Sequence, residues 1–241
     1  MALDLSKIIS VDFPVDQYVA TRTRKSQIVL HHTVSGAGVK GDVNHWASSK
    51  ARVATSVIID REGVIHQCFS TRYWAHHLGV KTGFIREQGT AKSNLELNQA
   101  SIGIELDSYG GLVKKGQKFY TVYGNEIAKS KVVEYKEEFR GYKYYEKYTD
   151  KQLKTMKDLI EYLCDKYSIP SDFKLESFNV SKDALNGVPG IYSHTSYRSD
   201  KSDVHPQEEL IAILKGEKIK APAAKKPAQK KKPSAKTKGV K

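Results

Sequence analysis

Two histidines, two aspartates, a lysine and an arginine crowd into the fifteen residues YSHTSYRSDKSDVHP, positions 192 to 206, a stretch with the periodicity of neither helix nor strand. A catalytic zinc centre needs about three His, Asp, Glu or Cys ligands and one open position for water, and its ligands need not be neighbours in sequence. His194 and Asp203, nine residues apart, could be two of them. His31, at the end of the apolar run in IVLHHT, could be the third. The chemistry of such a centre is hydrolysis, with the metal polarising a carbonyl and making water a nucleophile near neutral pH. Composition and spacing alone do not separate this from a strand histidine satisfied inside a core.

Those donors can meet only if the elements around them pack together. QIVLHHT (27 to 33), TSVIIDREG (55 to 63), VIHQCF (64 to 69) and SIGIELD (101 to 107) are β-branched runs bounded by turn residues and read as strands. The second and third are expected to join as a hairpin at Glu62 and Gly63. In TDKQLKTMKDLIEYLCDKYSIP, apolar side chains at Leu153, Met156, Ile160, Leu163 and Tyr167 make a helical stripe, with Thr149 and Gln152 spaced as a capping box. Shorter helices are expected from Asp42 to Ser49 and from Pro206 to a stop at Gly216. The fold class expected is α/β, a mixed central β-sheet flanked by helices. The Tyr- and Lys-rich stretch 108 to 148 exceeds an ordinary connection. It reads as a β-rich insertion, or as a Tyr-lined wall on which a sugar or peptide could rest.

At 241 residues the chain suits one main domain, expected over 5 to 216. It contains no apolar run of the roughly 20 residues that cross a bilayer, and its start does not have the pattern of an export signal, so a soluble cytosolic product without membrane insertion is expected. Cys68 and Cys164 have no metal-site or CxxC spacing and read as buried thiols. From Lys218 onward there are ten lysines and no acid, which accounts for +10 of the net +13. Residues 217 to 241 therefore read as a disordered Lys/Ala/Pro tail, suited to an anionic envelope polymer or to nucleic acid.

Taken in order, IVLHHTVSG, SVIIDREGVIHQ, WAHHLG, SIGIEL and HTSYRSDKSD resemble the zinc-dependent N-acetylmuramoyl-L-alanine amidases of the type 2 family, whose fold is shared by phage lysozyme-type amidases and peptidoglycan recognition proteins. The resemblance spans roughly residues 25 to 215. It implies one Zn2+ per chain on His31, His194 and Asp203, with His32 facing the other side of its strand. Because the final loop differs from the family pattern, Asp200 and His205 stay open as alternative third ligands. Thr55 stands where some branches carry a catalytic tyrosine, and Glu105 matches the branch that uses a glutamate.

The resemblance further implies Glu105 as general base, Lys201 as oxyanion stabiliser and His77 as a substrate contact. His76 and Trp74 are weaker candidates, His45 and Trp46 are expected to pack or to face a groove, and His66 has no assigned role. The reaction implied is hydrolysis of the amide between N-acetylmuramic acid and L-alanine in peptidoglycan. The expected setting is that of a monomeric phage endolysin, made in the infected cell's cytoplasm and acting at the wall after membrane breach. A cytosolic wall-recycling amidase, a non-catalytic peptidoglycan-binding module and a nucleic-acid partner are the alternatives.

Overall fold

In the computed structural model, residues 3–36, 38–171, 173 and 175–217 are described. The tail from Lys218 lies outside them, and so does the expectation attached to it. Six strands form the main sheet: β1 (Ile9–Ser10), β2 (Gln27–His32), β3 (Val57–Ile59), β4 (Ile65–Gln67), β5 (Ser101–Leu106) and β11 (Gly190–Ser193), in the order β1-β4-β3-β5-β2-β11. Pairing is parallel except for the β3–β4 hairpin, whose turn uses Gly63 at φ +78°. The four expected strands are all present, and they make this a mixed sheet.

Alternation along the strands sorts the side chains onto two faces. From β2 and β5, Ile28, Leu30, Ile102, Ile104 and Leu106 enter the larger core. The opposite face carries Val29 and His31 beside Ser101, Gly103 and Glu105, and the parallel register sets Val29 against Gly103 and His31 against Glu105. Two polar groups thus face the same way at the C-terminal ends of adjacent parallel strands, where open α/β sheets bind ligands. All six residues of each strand are buried, so every polar group there needs a partner or a function.

The larger core is closed by α4 (Asp150–Tyr167), which buries Leu153, Met156, Leu159, Ile160 and Leu163 against the sheet. Each such side chain contributes about 1.5–3 kcal/mol when fully buried. The Thr149–Gln152 capping box forms as expected, and Gln152 also donates to the carbonyls of Ile59 and Asp107, tying the helix start to the ends of two strands. Cys68 and Cys164 are buried free thiols. Among the described residues, no helix is long and apolar enough to cross a membrane.

The helix expected from Asp42 begins earlier, as α1 (Gly38–Ala47), entered through Gly38 at φ +65°. The last helix is α6 (Glu208–Leu214), followed by Gly216 at φ +71°. Short elements without a sequence expectation complete the second face: α2 (Thr82–Glu87), α3 (Asn94–Ala100) and α5 (Lys182–Leu185). Residues from these helices join Val29 and Tyr192 in a second apolar cluster.

The insertion is β-rich. It folds into an antiparallel sheet of β6 (Gly111–Lys115), β7 (Lys118–Thr121), β8 (Glu126–Ile127), β9 (Val132–Phe139) and β10 (Tyr142–Glu146), in the order β8-β7-β6-β10-β9. Glu146 ties it to the main domain through a bidentate pair with Arg61 at 3.0 and 2.9 Å, and Arg61 also meets Asp107 at 2.6 Å. Several of the tyrosines expected to form an open wall instead turn inward. Tyr145 and Tyr148 are fully buried and stack on His205 with ring centroids 4.5 and 4.3 Å away, while Tyr135 donates to His205 Nδ1 at 2.7 Å or accepts from it.

Candidate metal centre and cleft

β2 delivers His31, the turn after β11 delivers His194, and the following loop folds back to deliver Asp203. His31 Nδ1 lies 3.1 Å from His194 Nδ1 and 3.1 Å from Asp203 Oδ2, and His194 Nδ1 lies 2.8 Å from the same oxygen. Ligands bound tetrahedrally to zinc at 2.0–2.1 Å stand roughly 3.3 Å apart, so the triangle is close to what the ion requires. The donor set fits as well. Two imidazoles and a carboxylate are a usual zinc combination, and three protein ligands leave a fourth position open.

The electrostatics agree with that fit. Burial, then the neighbouring His194, pushes the His31 imidazole down to about 4 and favours the neutral ring a metal needs. Burial would raise the Asp203 carboxyl, but the charges and hydrogen bonds of His194 and His31 outweigh it and hold Asp203 well below the ordinary carboxylate value. His194 Nε2–H donates to the Leu78 carbonyl at 2.9 Å, which leaves Nδ1 directed at the centre.

Asp200 and His205, the alternative third ligands, are occupied elsewhere. Asp200 is exposed and paired with Arg198 at 2.9 and 2.7 Å, which holds its carboxyl down at about 2. His205 is buried on the far side of the loop, hydrogen-bonded to Tyr135 and to the Glu146 carbonyl. His32 points to the opposite face from His31, as alternation requires, and reaches Tyr148 Oη at 2.7 Å.

Glu105 is 9% exposed, and its Oε2 has no hydrogen-bond partner among the described residues. Burial, then the Asp203 and Asp42 carboxylates, pushes its carboxyl well above the ordinary value, while the Lys201 charge opposes them. Lys201 is half-buried, and its charge also reaches His31. A carboxyl raised in this way keeps its proton to higher pH than an exposed one, the direction that suits proton transfer.

Glu105 opens onto a cavity of about 560 Å³, walled by Thr33 to Gly36, by Asp42, His45 and Trp46 of α1, and by Tyr123 and Asn125 of the insertion. Tyr123 Oη donates to the Val34 carbonyl at 2.9 Å, joining the insertion to the cleft wall. His45 and Trp46 thus take the groove-facing role, with Trp46 also packing edge-on against Phe13. Trp74 is buried, His76 is half-buried, Thr55 Oγ1 donates to the Val57 carbonyl, and His66 pairs with Asp60.

His77, expected as a substrate contact, is half-buried with both ring nitrogens engaged. Its Nδ1 lies 2.9 Å from His31 Nε2 and its Nε2 lies 2.8 Å from Ser101 Oγ, so both ring nitrogens are taken behind the centre. Asn98, which holds the His77 backbone, carries no sequence expectation, since it lies on a helix of only seven residues. A usable signal was present in the Ser93 and Glu96 capping-box spacing.

A search of curated proteins returns no match. Among solved structures, similar chains include the endolysin amidase LysCS from Clostridium intestinale URNW, with 17% identity, TM-score 0.47, and 89% of this chain and 99% of that one covered. A mutant endolysin from Bacillus subtilis has 15% identity and TM-score 0.48, over 90% of this chain and 98% of that one. The Escherichia coli amidase AmiD, in complex with anhydro-N-acetylmuramic acid-L-Ala-D-gamma-Glu-L-Lys, has 17% identity and TM-score 0.39, over 63% and 48%. The sequence itself matches a family profile from residue 21 to residue 206, a span that includes every residue of the centre and the cleft, and the chain belongs to the N-acetylmuramoyl-L-alanine amidase family.

Proposed function

We propose that this protein hydrolyses the amide between the lactyl group of N-acetylmuramic acid and the first L-alanine of the peptidoglycan stem, with one zinc ion held by His31, His194 and Asp203. The observation that carries this reading is the convergence of three buried ligand atoms beside a strand that places Glu105 in register with His31. When bound, zinc supplies Lewis acidity, which polarises the carbonyl and acidifies water.

The chain's own groups account for the proton and the charge. Glu105 takes a proton from the attacking water as its oxygen adds to the carbonyl carbon. The same carboxyl returns that proton to the amine nitrogen as the C–N bond breaks, so the base is regenerated. The Lys201 ammonium faces the negative charge that builds on the carbonyl oxygen, a role worth about 2.7–4 kcal/mol where comparable donors have been removed. The 560 Å³ cavity beside Glu105 offers aromatic and polar walls to the muramoyl-peptide.

We also read the protein as an endolysin acting as a monomer at the host wall after membrane breach. The ten lysines of the tail favour an anionic envelope polymer, or nucleic acid, as a second contact. Purified protein incubated with peptidoglycan should release free N-terminal alanine, and a chelator should stop it. Release of reducing sugar would mean that a different bond is cut, and wall binding without any cleavage would make the protein a recognition module.

A further inference from the structure

We infer that the dipeptide His77–Leu78, pinned by Asn98, is a shared outer support that sets both imidazoles of the centre with Nδ1 directed at the ion; the inference rests on the metal reading above. Hydrogen-bond direction can be traced from one end of the network to the other. Ser101 Oγ donates to the Leu97 carbonyl at 2.7 Å, so its oxygen is free to accept from His77 Nε2, 2.8 Å away. A neutral His77 that carries its hydrogen on Nε2 presents a lone pair at Nδ1. His31 Nε2, 2.9 Å from that lone pair, must then be the donor, which leaves His31 Nδ1 as the free ligand atom. A carbonyl on α3 therefore dictates the tautomer of a histidine three hydrogen bonds away.

The next residue performs the corresponding task for the other imidazole, since the Leu78 carbonyl accepts from His194 Nε2–H at 2.9 Å. Side chain and main chain of two consecutive residues thus hold the two ligands from behind. Asn98 fixes that pair. It is fully buried, its Oδ1 accepts from the backbone N–H of His77 at 2.8 Å and of Leu78 at 3.1 Å, and its Nδ2 donates to the Asn94 carbonyl at 2.6 Å. Space for the His77 ring comes from Gly103, where an added Cβ would stand 3.1 Å from His77 Nδ1. His77 and Asn98 are positioning residues, which touch the ligands or their holders and not the substrate.

The test uses full-length protein, with zinc as the probe. Zinc affinity measured by competition with a chromophoric chelator should fall about 10–100-fold in His77→Leu, as expected when a ligand's hydrogen-bond partner is removed. His77→Asn, whose Oδ1 can accept where Nδ1 did, should stay close to wild type. In wild type, nitrogen-15 spectra of labelled histidines should show the His77 proton on Nε2. Ser101→Ala, the smaller change and usable if His77→Leu does not fold, should lower zinc affinity and mix the two His77 tautomers. If wild type binds zinc and His77→Leu or Ser101→Ala binds it equally well, this inference fails and the centre stands. A proton on His77 Nδ1 would also overturn it. If wild type binds no zinc, the centre and the inference fall together.

Discussion

Glu105→Gln should move activity and stability in opposite directions. The substitution keeps the shape of the side chain and removes its ability to take a proton. Loss of a general base costs roughly 10²- to 10⁴-fold in rate, which is about 3–5 kcal/mol in the barrier. Zinc content should not change, because Glu105 is not one of the three converging ligands. Stability should follow from burial. Glu105 is 9% exposed with one oxygen unpartnered, and burial, then Asp203 and Asp42, raises its carboxyl above the ordinary value of 4.5. The folded chain then holds this proton more tightly than the unfolded chain, so wild type loses stability as pH rises from about 4.5 through the folded value. Glutamine carries no such proton. In chelator-stripped protein the melting temperatures of wild type and Glu105→Gln should nearly coincide at pH 5, with the variant the more stable at pH 8. Alanine release with kcat within about tenfold of wild type would remove Glu105 from the mechanism. A variant less stable than wild type at pH 8 would refute the account of its buried charge.

Arg61→Ala would leave Glu146 and Asp107, both 4% exposed, without their cation, and should destabilise the fold by about 3–5 kcal/mol in urea unfolding. Adding Glu146→Gln should restore part of that loss, since the carboxylate left unpaired is then gone. Asp203→Asn should abolish stoichiometric zinc by elemental analysis, whereas Asp200→Asn should retain it, because Asp200 is engaged by Arg198 outside the centre. Gly103→Ala would bring a Cβ to 2.7 Å from Thr55 Cγ2, and should cost about 1–3 kcal/mol from overpacking together with a loss of zinc affinity. Deleting residues 218 to 241 should leave wall lysis intact at low salt and alter its salt dependence, measured as turbidity loss across a salt series.

The sequence by itself determined the strands and the long helix, because each carries a local signature, and it offered a set of candidate metal donors. Alternating β-branched runs specify β2 to β5 and a 3.6-residue apolar stripe with its capping box specifies α4, whereas the strand-end histidine and the His and Asp loop become the expected ligands only through the family resemblance. What it left open was partnership. The family resemblance favours Asp203 and leaves Asp200 and His205 open beside it, and only the folded loop sends Asp200 to Arg198, His205 to the buried tyrosines and Asp203 to the histidines. His77 reads as a cleft residue from its motif, yet packing of α3 turns it behind His31. Local pattern records which residue types an element needs, whereas the other end of each hydrogen bond lies dozens of residues away and is settled when the elements dock.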